Sequence, residues 1–460
     1  MKEFRKKCFF VSLVLFLIYS CNPTNIKKEN ENNFIDTTVT LKTIFQRGVT
    51  NTITSLNNPA CSYSFYVPKD SLFSYPVLLM LDPHAKGTYT VSLYQQLAEK
   101  YKVILISSNN IRNQMSLAEI ELYINQIFND AKEFLAIDTN RLYIAGFSGT
   151  ARAVYELVTK SNTYKGAIAV GAGTNYLPWK DSTFCLIQMA GYKDMNFQEI
   201  YESNLVLRNT SVLYMGFFYE AGHQWPPDTL MEYAWLNFFA KSNYEVAKSF
   251  LLKMVNYAKK IPLRDSWKKT LLYYGLKTLC YNIKYYQEPF NEINNYLNSY
   301  ESKNSLKQLQ SLLKTEKKEK EQLAKNFIEK DSVWWSKTIM YYHEVKKKTY
   351  LSPFDYKDIR LANFISLLAY SYSRSALQQH RMDLARKYLY IYQQIDPYNY
   401  DMLFLWSVYF AKLNQPRRSL DSLSKAIKIG FNDKLLLQNE PAFYSIKDSV
   451  KFLELVSKLN

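Results

Sequence analysis

The segment RLYIAGFSGTAR, residues 141–152, sets Ser148 between an apolar run of β type and an amphipathic helical pattern. A serine in so tight a turn is pushed out of a sheet, its hydroxyl at the mouth and its backbone beside the positive end of the following helix. Strand and helix approach closely there, so the neighbours must be small. Gly146, Gly149 and Ala151 meet that demand, whereas Thr150 brings a β-branched side chain to a crowded position. Downstream, MAGYKD (189–194) places Asp194 after an apolar run, and YEAGHQW (219–225) places His223 after the next. Serine, carboxylate and histidine together can perform nucleophilic acyl transfer. Ser148 attacks a carbonyl, His223 takes its proton and returns it to the leaving group, and Asp194 holds the imidazole tautomer. Of the four histidines, His343 and His380 fall in the later, helical half, His84 precedes the serine and His223 follows it. The competing readings are a histidine that merely occupies a turn, and an Asp194 that only caps a helix beginning near Phe197.

The elements that must position these groups are legible from about residue 41 to 241. CSYSFYV (61–67) alternates as a half-buried strand does. The runs 76–81 and 102–107 are short and apolar, the buried parallel type. Residues 92–100 read as helix, and 116–135 as an amphipathic helix opened by Ser116 and Glu119 at capping-box spacing. Further strands are expected at 141–145, 166–170, 184–189 and 211–217. Strand and helix in regular alternation mean an α/β domain, a mostly parallel sheet with helices on both faces.

The G-x-S-G, G-x-x-D and G-H-x-W segments resemble those of the α/β-hydrolase superfamily, in its minimal branch of feruloyl-esterase-like and depolymerase-like serine hydrolases. The resemblance covers 41–241, under half of the chain, and departs from the usual G-x-S-x-G at Thr150. It implies a Ser148–Asp194–His223 triad in the superfamily's chain order. It also implies an oxyanion hole from the backbone N–H groups of Gly149 and, in the loop after 78–81, Ala85, with His84 buttressing that loop and Trp225 as a supporting residue. No cofactor or metal is implied. The expected substrate is an ester in preference to an amide. No large insertion stands between Gly173 and Phe184, so the pocket is expected to be open or roofed by the helical half.

That half, 242–460, reads as all-α. The stretch 302–330 is highly charged and is expected to be an exposed helix face or a long solvated helix. Tyr372 recurs as Trp406, Ser373 as Ser407, Ala385 as Ser419 and Tyr392 as Ala426, each pair 34 positions apart. This resembles the tetratricopeptide repeat, with units in 366–460 and degenerate members in 242–365. The resemblance implies a protein partner held by the helices. The alternative is a plain helical bundle.

At the N-terminus, Lys2, Arg5, Lys6 and Lys7 precede an apolar stretch, 8–18, of signal-peptide length. It ends Ile18-Tyr19-Ser20-Cys21, which resembles a bacterial lipobox despite the bulk of Tyr19. A signal peptide over 1–21, lipidation of Cys21, a polar tether over 22–40 and a membrane-anchored place in the cell envelope follow as expectations, with plain signal cleavage as the alternative. The cysteines beyond Cys21 (Cys61, Cys185 and Cys280) are expected as buried thiols. The net charge of +17 is scattered as lysines, with no nucleic-acid motif, and points to a basic solvated surface. Three functions remain open: an envelope-anchored serine esterase; a catalytically silent scaffold using its helices for binding, fed by Thr150; and a lipid-surface adaptor, resting only on the anchor and the positive charge.

Overall fold

The computed structural model describes residues 45–459 apart from 56, 175–183, 208–212, 240–243 and 283–286. Cys21, the signal segment and the tether lie outside the described residues.

Eight strands form one sheet: β1 (Thr50–Thr54), β2 (Ser62–Tyr66), β3 (Tyr75–Leu81), β4 (Ile104–Ser108), β5 (Ile137–Phe147), β6 (Gly166–Val170), β7 (Cys185–Gly191) and β8 (Leu213–Tyr219). Their spatial order is β1-β2-β4-β3-β5-β6-β7-β8. All pairings from β4 to β8 are parallel, while β2 runs antiparallel to both β1 and β4. All seven residues of β3 are buried, as a strand covered on both faces requires. The expected strands are all present. Only β1 went unread, because TNTIT is a polar edge strand without an apolar run to announce it.

Helices α1 (Gly87–Tyr101), α2 (Leu117–Phe134), α3 (Gly149–Lys160) and α4 (Phe197–Leu207) connect the strands, and α5 (Asp228–Phe239) follows β8. Ser116 and Glu119 close the expected capping box at the start of α2. On one face, α2 and α3 pack with Ile106, Ile144 and Ala169. On the other, α1 and α5 pack with Met80, Ala145 and Ile187. Cys61, Cys185 and Cys280 are buried free thiols. Burial pushes the Cys61 thiol up to about 11, with Asp130 adding to it, and those of Cys185 and Cys280 up to about 12.

The boundary expected near 241 does not separate two cores. Helices α6 (Tyr244–Lys259), α7 (Ser266–Asn282) and α8 (Gln287–Asn298) contribute Leu251, Leu276 and Ile293 to the same apolar cluster as β7 and α5. A separate core begins with the end of α9 (Tyr300–Glu329) and continues through α10 (Ser332–Lys346), α11 (Pro353–Gln378), α12 (Met382–Ile395), α13 (Tyr400–Lys412), α14 (Pro416–Lys428), α15 (Lys434–Asn439) and α16 (Val450–Ser457). Within it, α11–α12 and α13–α14 are equivalent hairpins. The small residues Ser373, Ala385, Ser407 and Ser419 are all fully buried where paired helices meet, and the Ser407 and Ser419 hydroxyls lie 3.1 Å apart. His380 and Asn414, again 34 positions apart, turn each hairpin at φ 56° and 57°.

The charged helix is present as α9, but it is not solvated throughout. Glu316 is fully buried against Arg360 of α11. Sequence alone read its charge pattern correctly and missed this partner, 44 residues away.

Candidate active site

In an open parallel sheet the carboxyl ends of the strands line one edge, and ligands bind there. The three expected residues meet at that edge. Ser148 follows β5, Asp194 follows β7 and His223 follows β8. The Ser148 hydroxyl lies 2.8 Å from His223 Nε2, and His223 Nδ1 lies 2.9 and 3.0 Å from the Asp194 carboxylate oxygens. A carboxylate at Nδ1 favours the tautomer whose Nε2 accepts the serine proton. Asp194 is buried and His223 is half-buried, so the carboxylate is shielded while the ring reaches the cleft.

Ser148 itself sits at φ 55° and ψ −119°, a backbone conformation that a non-glycine residue adopts at a cost of about 1–3 kcal/mol. Its N–H donates to Val170 O at 2.7 Å. Thr150, expected to crowd the turn, instead braces it. Its buried hydroxyl accepts from Phe147 N–H at 3.1 Å and lies 2.6 Å from Leu81 O and 2.8 Å from Phe147 O, to one of which it donates. Thr150 thereby ties the elbow to the end of β3.

Asp194 is no mere helix cap. It accepts from Asn196 N–H at 2.8 Å, and Asn196 in turn donates to Gly171 O. Gly171 has φ 68°, and a Cβ there would meet both the His223 and Phe147 rings. That glycine makes room for the imidazole. The His223 loop is pinned by Tyr219 donating to Gln224 O and Tyr94 donating to Pro226 O. Burial and the nearby Asp194 charge push the Tyr219 phenol well up, so it stays a donor.

Trp225 lies two positions beyond the histidine. It is buried against Phe147, with ring centroids 5.6 Å apart, and its Nε1 donates to Asp82 Oδ2 at 2.9 Å. Asp82 is the residue sequence reasoning missed. It joins the His223 loop to the loop after β3, accepting also from His84 N–H through Oδ1. A carboxylate immediately after an apolar strand was the available signal.

The loop after β3 departs from expectation in two respects. Ala85 has φ 58° and donates its N–H to Asp82 O at 3.1 Å, closing a turn, so that amide is already engaged. The His84 N–H is likewise taken, by the Asp82 carboxylate. The His84 side chain is exposed, and it is its backbone that bridges to Arg112. Asp82 braces the loop in its place. Gly149 lies where expected, at the first position of α3, with its N–H unclaimed within the described residues. Among those residues, no cluster of His, Cys, Asp or Glu could hold a metal ion.

The helical half meets this edge at both ends. Near the acid, Arg360 and Asn363 of α11 donate to Tyr192 O and Lys193 O. Near the loop after β3, Lys86 Nζ lies 3.2 Å from the Tyr400 hydroxyl, and Arg112 pairs with Asp433 at 3.4 Å.

The fold and the strand order of these residues are those of an α/β-hydrolase. No family model matches the chain, and no curated protein matches it. Solved structures similar to it include an S-formylglutathione hydrolase (FrmB) of Staphylococcus aureus, 15% identical over 40% of this chain and 93% of that one, with a TM-score of 0.33. They also include FphF, a fluorophosphonate-binding serine hydrolase of the same organism, 14% identical over 41% and 97%, at 0.34. A thermostable esterase is 15% identical over 37% and 54%, at 0.29, so this chain spans about half of that esterase's length.

Proposed function

We propose that this protein is a serine hydrolase that cleaves carboxylic esters through an acyl-enzyme. One observation carries the reading: the unbroken chain of short contacts from the Ser148 hydroxyl through His223 to the buried Asp194. Ser148 Oγ attacks the ester carbonyl as His223 Nε2 takes its proton, and the oxyanion develops beside the N-terminus of α3, where the Gly149 N–H and the positive helix end oppose it. His223 then protonates the departing alcohol. Water, activated by the same ring, releases the acid. An ester suits this site better than an amide because the alcohol needs less assistance to leave. The scaffold alternative loses its premise, since Thr150 is part of the elbow.

The signal-type N-terminus and Cys21 support an envelope lipoprotein. The 34-residue hairpins support a tetratricopeptide-like region in α11–α14, with a protein partner as its expected ligand. A fluorophosphonate probe tests the catalytic reading. Wild type should label and Ser148→Ala should not; a folded wild type that neither labels nor hydrolyses p-nitrophenyl esters would refute it. Loss of fatty-acid incorporation in Cys21→Ala tests the anchor.

A further inference from the structure

The loop carrying Asp194 is held from outside the sheet. Three of its carbonyls accept from side chains of the helical half. Arg360 Nη1 reaches Tyr192 O at 2.9 Å, Asn363 Nδ2 reaches Lys193 O at 2.9 Å, and Lys320 Nζ reaches Met195 O at 2.7 Å. These carbonyls lie on both sides of Asp194, whose own carboxylate is left to His223 and the Asn196 N–H.

The donors are themselves fixed. Glu316 of α9, fully buried, accepts from Arg360 Nε at 3.0 and 3.1 Å and from Nη2 at 2.6 Å, and it pairs with Lys320 at 2.9 Å. Burial would raise the Glu316 carboxyl, yet Arg360 and Lys320 outweigh it and hold the group below the usual range, so it stays charged. The guanidinium also lies 4.7 Å over the Phe197 ring, just beyond the acid loop. An apolar cluster seals the junction: Tyr192, Phe197 and Phe218 pack with Trp267, Leu309 and Tyr356.

On its sheet side the same loop is tied to the histidine loop, Tyr192 N–H donating to Tyr219 O and Lys193 N–H to Ala221 O. The acid loop is therefore clamped between the base loop and α9–α11. A buried ion pair is weak evidence for stability as such. Here its free guanidinium edge serves a different end, the orientation of a peptide next to Asp194.

We infer that Arg360, Asn363 and Lys320, set by Glu316, are positioning residues for Asp194, so that the helical half is a working part of the catalytic site. The inference rests on the triad reading above. It makes the acid's geometry depend on residues well over 100 positions downstream.

The test uses the full chain, a fluorophosphonate probe and p-nitrophenyl acetate. Arg360→Met alone strands a buried Glu316 charge and endangers folding. The decisive variants are therefore the double Glu316→Met/Arg360→Met, which replaces the ion pair with apolar side chains of similar length, and Asn363→Ala, at a half-buried position. Both should keep the wild-type thermal midpoint within a few degrees. Both should label more slowly, with kcat lower by about 10- to 100-fold for the double variant and less for Asn363→Ala, and KM unchanged, since a small misplacement of a catalytic group has that effect. A purely structural clamp would give the opposite pattern, full activity wherever stability is kept. Wild-type labelling with wild-type rates in a folded double variant, or in Asn363→Ala if the double fails to fold, overturns the inference and leaves the triad standing. A wild type that never labels removes both.

Discussion

Replacing Thr150 with valine keeps the shape of the side chain and deletes its hydroxyl. In the wild type that hydroxyl accepts from Phe147 N–H and donates to a main-chain carbonyl, Leu81 O being nearest at 2.6 Å. Thr150 is fully buried, so water cannot replace either partner. A buried polar group left without a partner costs about 1–3 kcal/mol. Two such losses come to about 2–4 kcal/mol if each falls in the lower part of that range. The total is a large share of the stability of a typical domain, about 5–15 kcal/mol. It is of the same order as the cost of holding Ser148 at φ 55°, about 1–3 kcal/mol. The bonds to Phe147 and the strain at Ser148 are adjacent in the chain, so losing the first lets the second relax. Ser148 Oγ then moves off His223 Nε2. We expect Thr150→Val to lower the urea midpoint of the first unfolding transition and to reduce kcat on p-nitrophenyl acetate by about 10- to 100-fold. Thr150→Ser, which loses only a methyl group, should cost about 1 kcal/mol and stay active. A Thr150→Val enzyme as stable and as fast as wild type would show that the hydroxyl is not what holds the elbow.

Asp194→Asn should retain the fold and lower kcat by about 10³- to 10⁴-fold, because an amide favours the wrong imidazole tautomer; steady-state kinetics on p-nitrophenyl acetate reads this directly. A Cβ at Gly191 would meet the Ala221 and Gly222 carbonyls, whereas one at Gly222 meets nothing within 4 Å. Gly191→Ala should therefore force the acid and base loops apart and lose most activity, and Gly222→Ala should be nearly neutral, with fluorophosphonate labelling distinguishing them. The Glu316 carboxyl is held below its ordinary value of 4.5 because Arg360 and Lys320 outweigh the opposing effect of burial. Its contribution to stability is thus complete above about pH 4.5 and is lost as pH falls through the lower folded value. Wild-type stability measured by denaturation should drop across that interval, and the Glu316→Met/Arg360→Met protein should lack that part of the drop.

Much of the first part of the chain was legible because its signals are local. Residues 76–81 and 166–170 are apolar runs of buried-strand length, and Ser116 with Glu119 announces a helix start within four positions. Ser148, Asp194 and His223 could be named because each follows such a run, and the order of runs along the chain fixes which sheet edge they share. The 34-residue spacing similarly announced two equivalent hairpins. Ala85 was misread because whether its N–H is free depends on the turn that Asp82 closes, and a loop's hydrogen bonds are not encoded by its apolar pattern. His84 failed for the same reason.

The sequence by itself determined the alternation of strands and helices, the three side chains able to perform acyl transfer, and the close-packed hairpins near the C-terminus. These follow from periodicity and residue type over a few neighbours, and such information survives without coordinates. Only the tertiary structure decided that Thr150 braces the elbow, that Asp82 and Trp225 join two loops 143 residues apart, and that Arg360, Asn363 and Lys320 hold the acid loop. Each of those is a polar contact between distant segments. Its direction is set by how whole elements pack, and a string of residue types records no such direction.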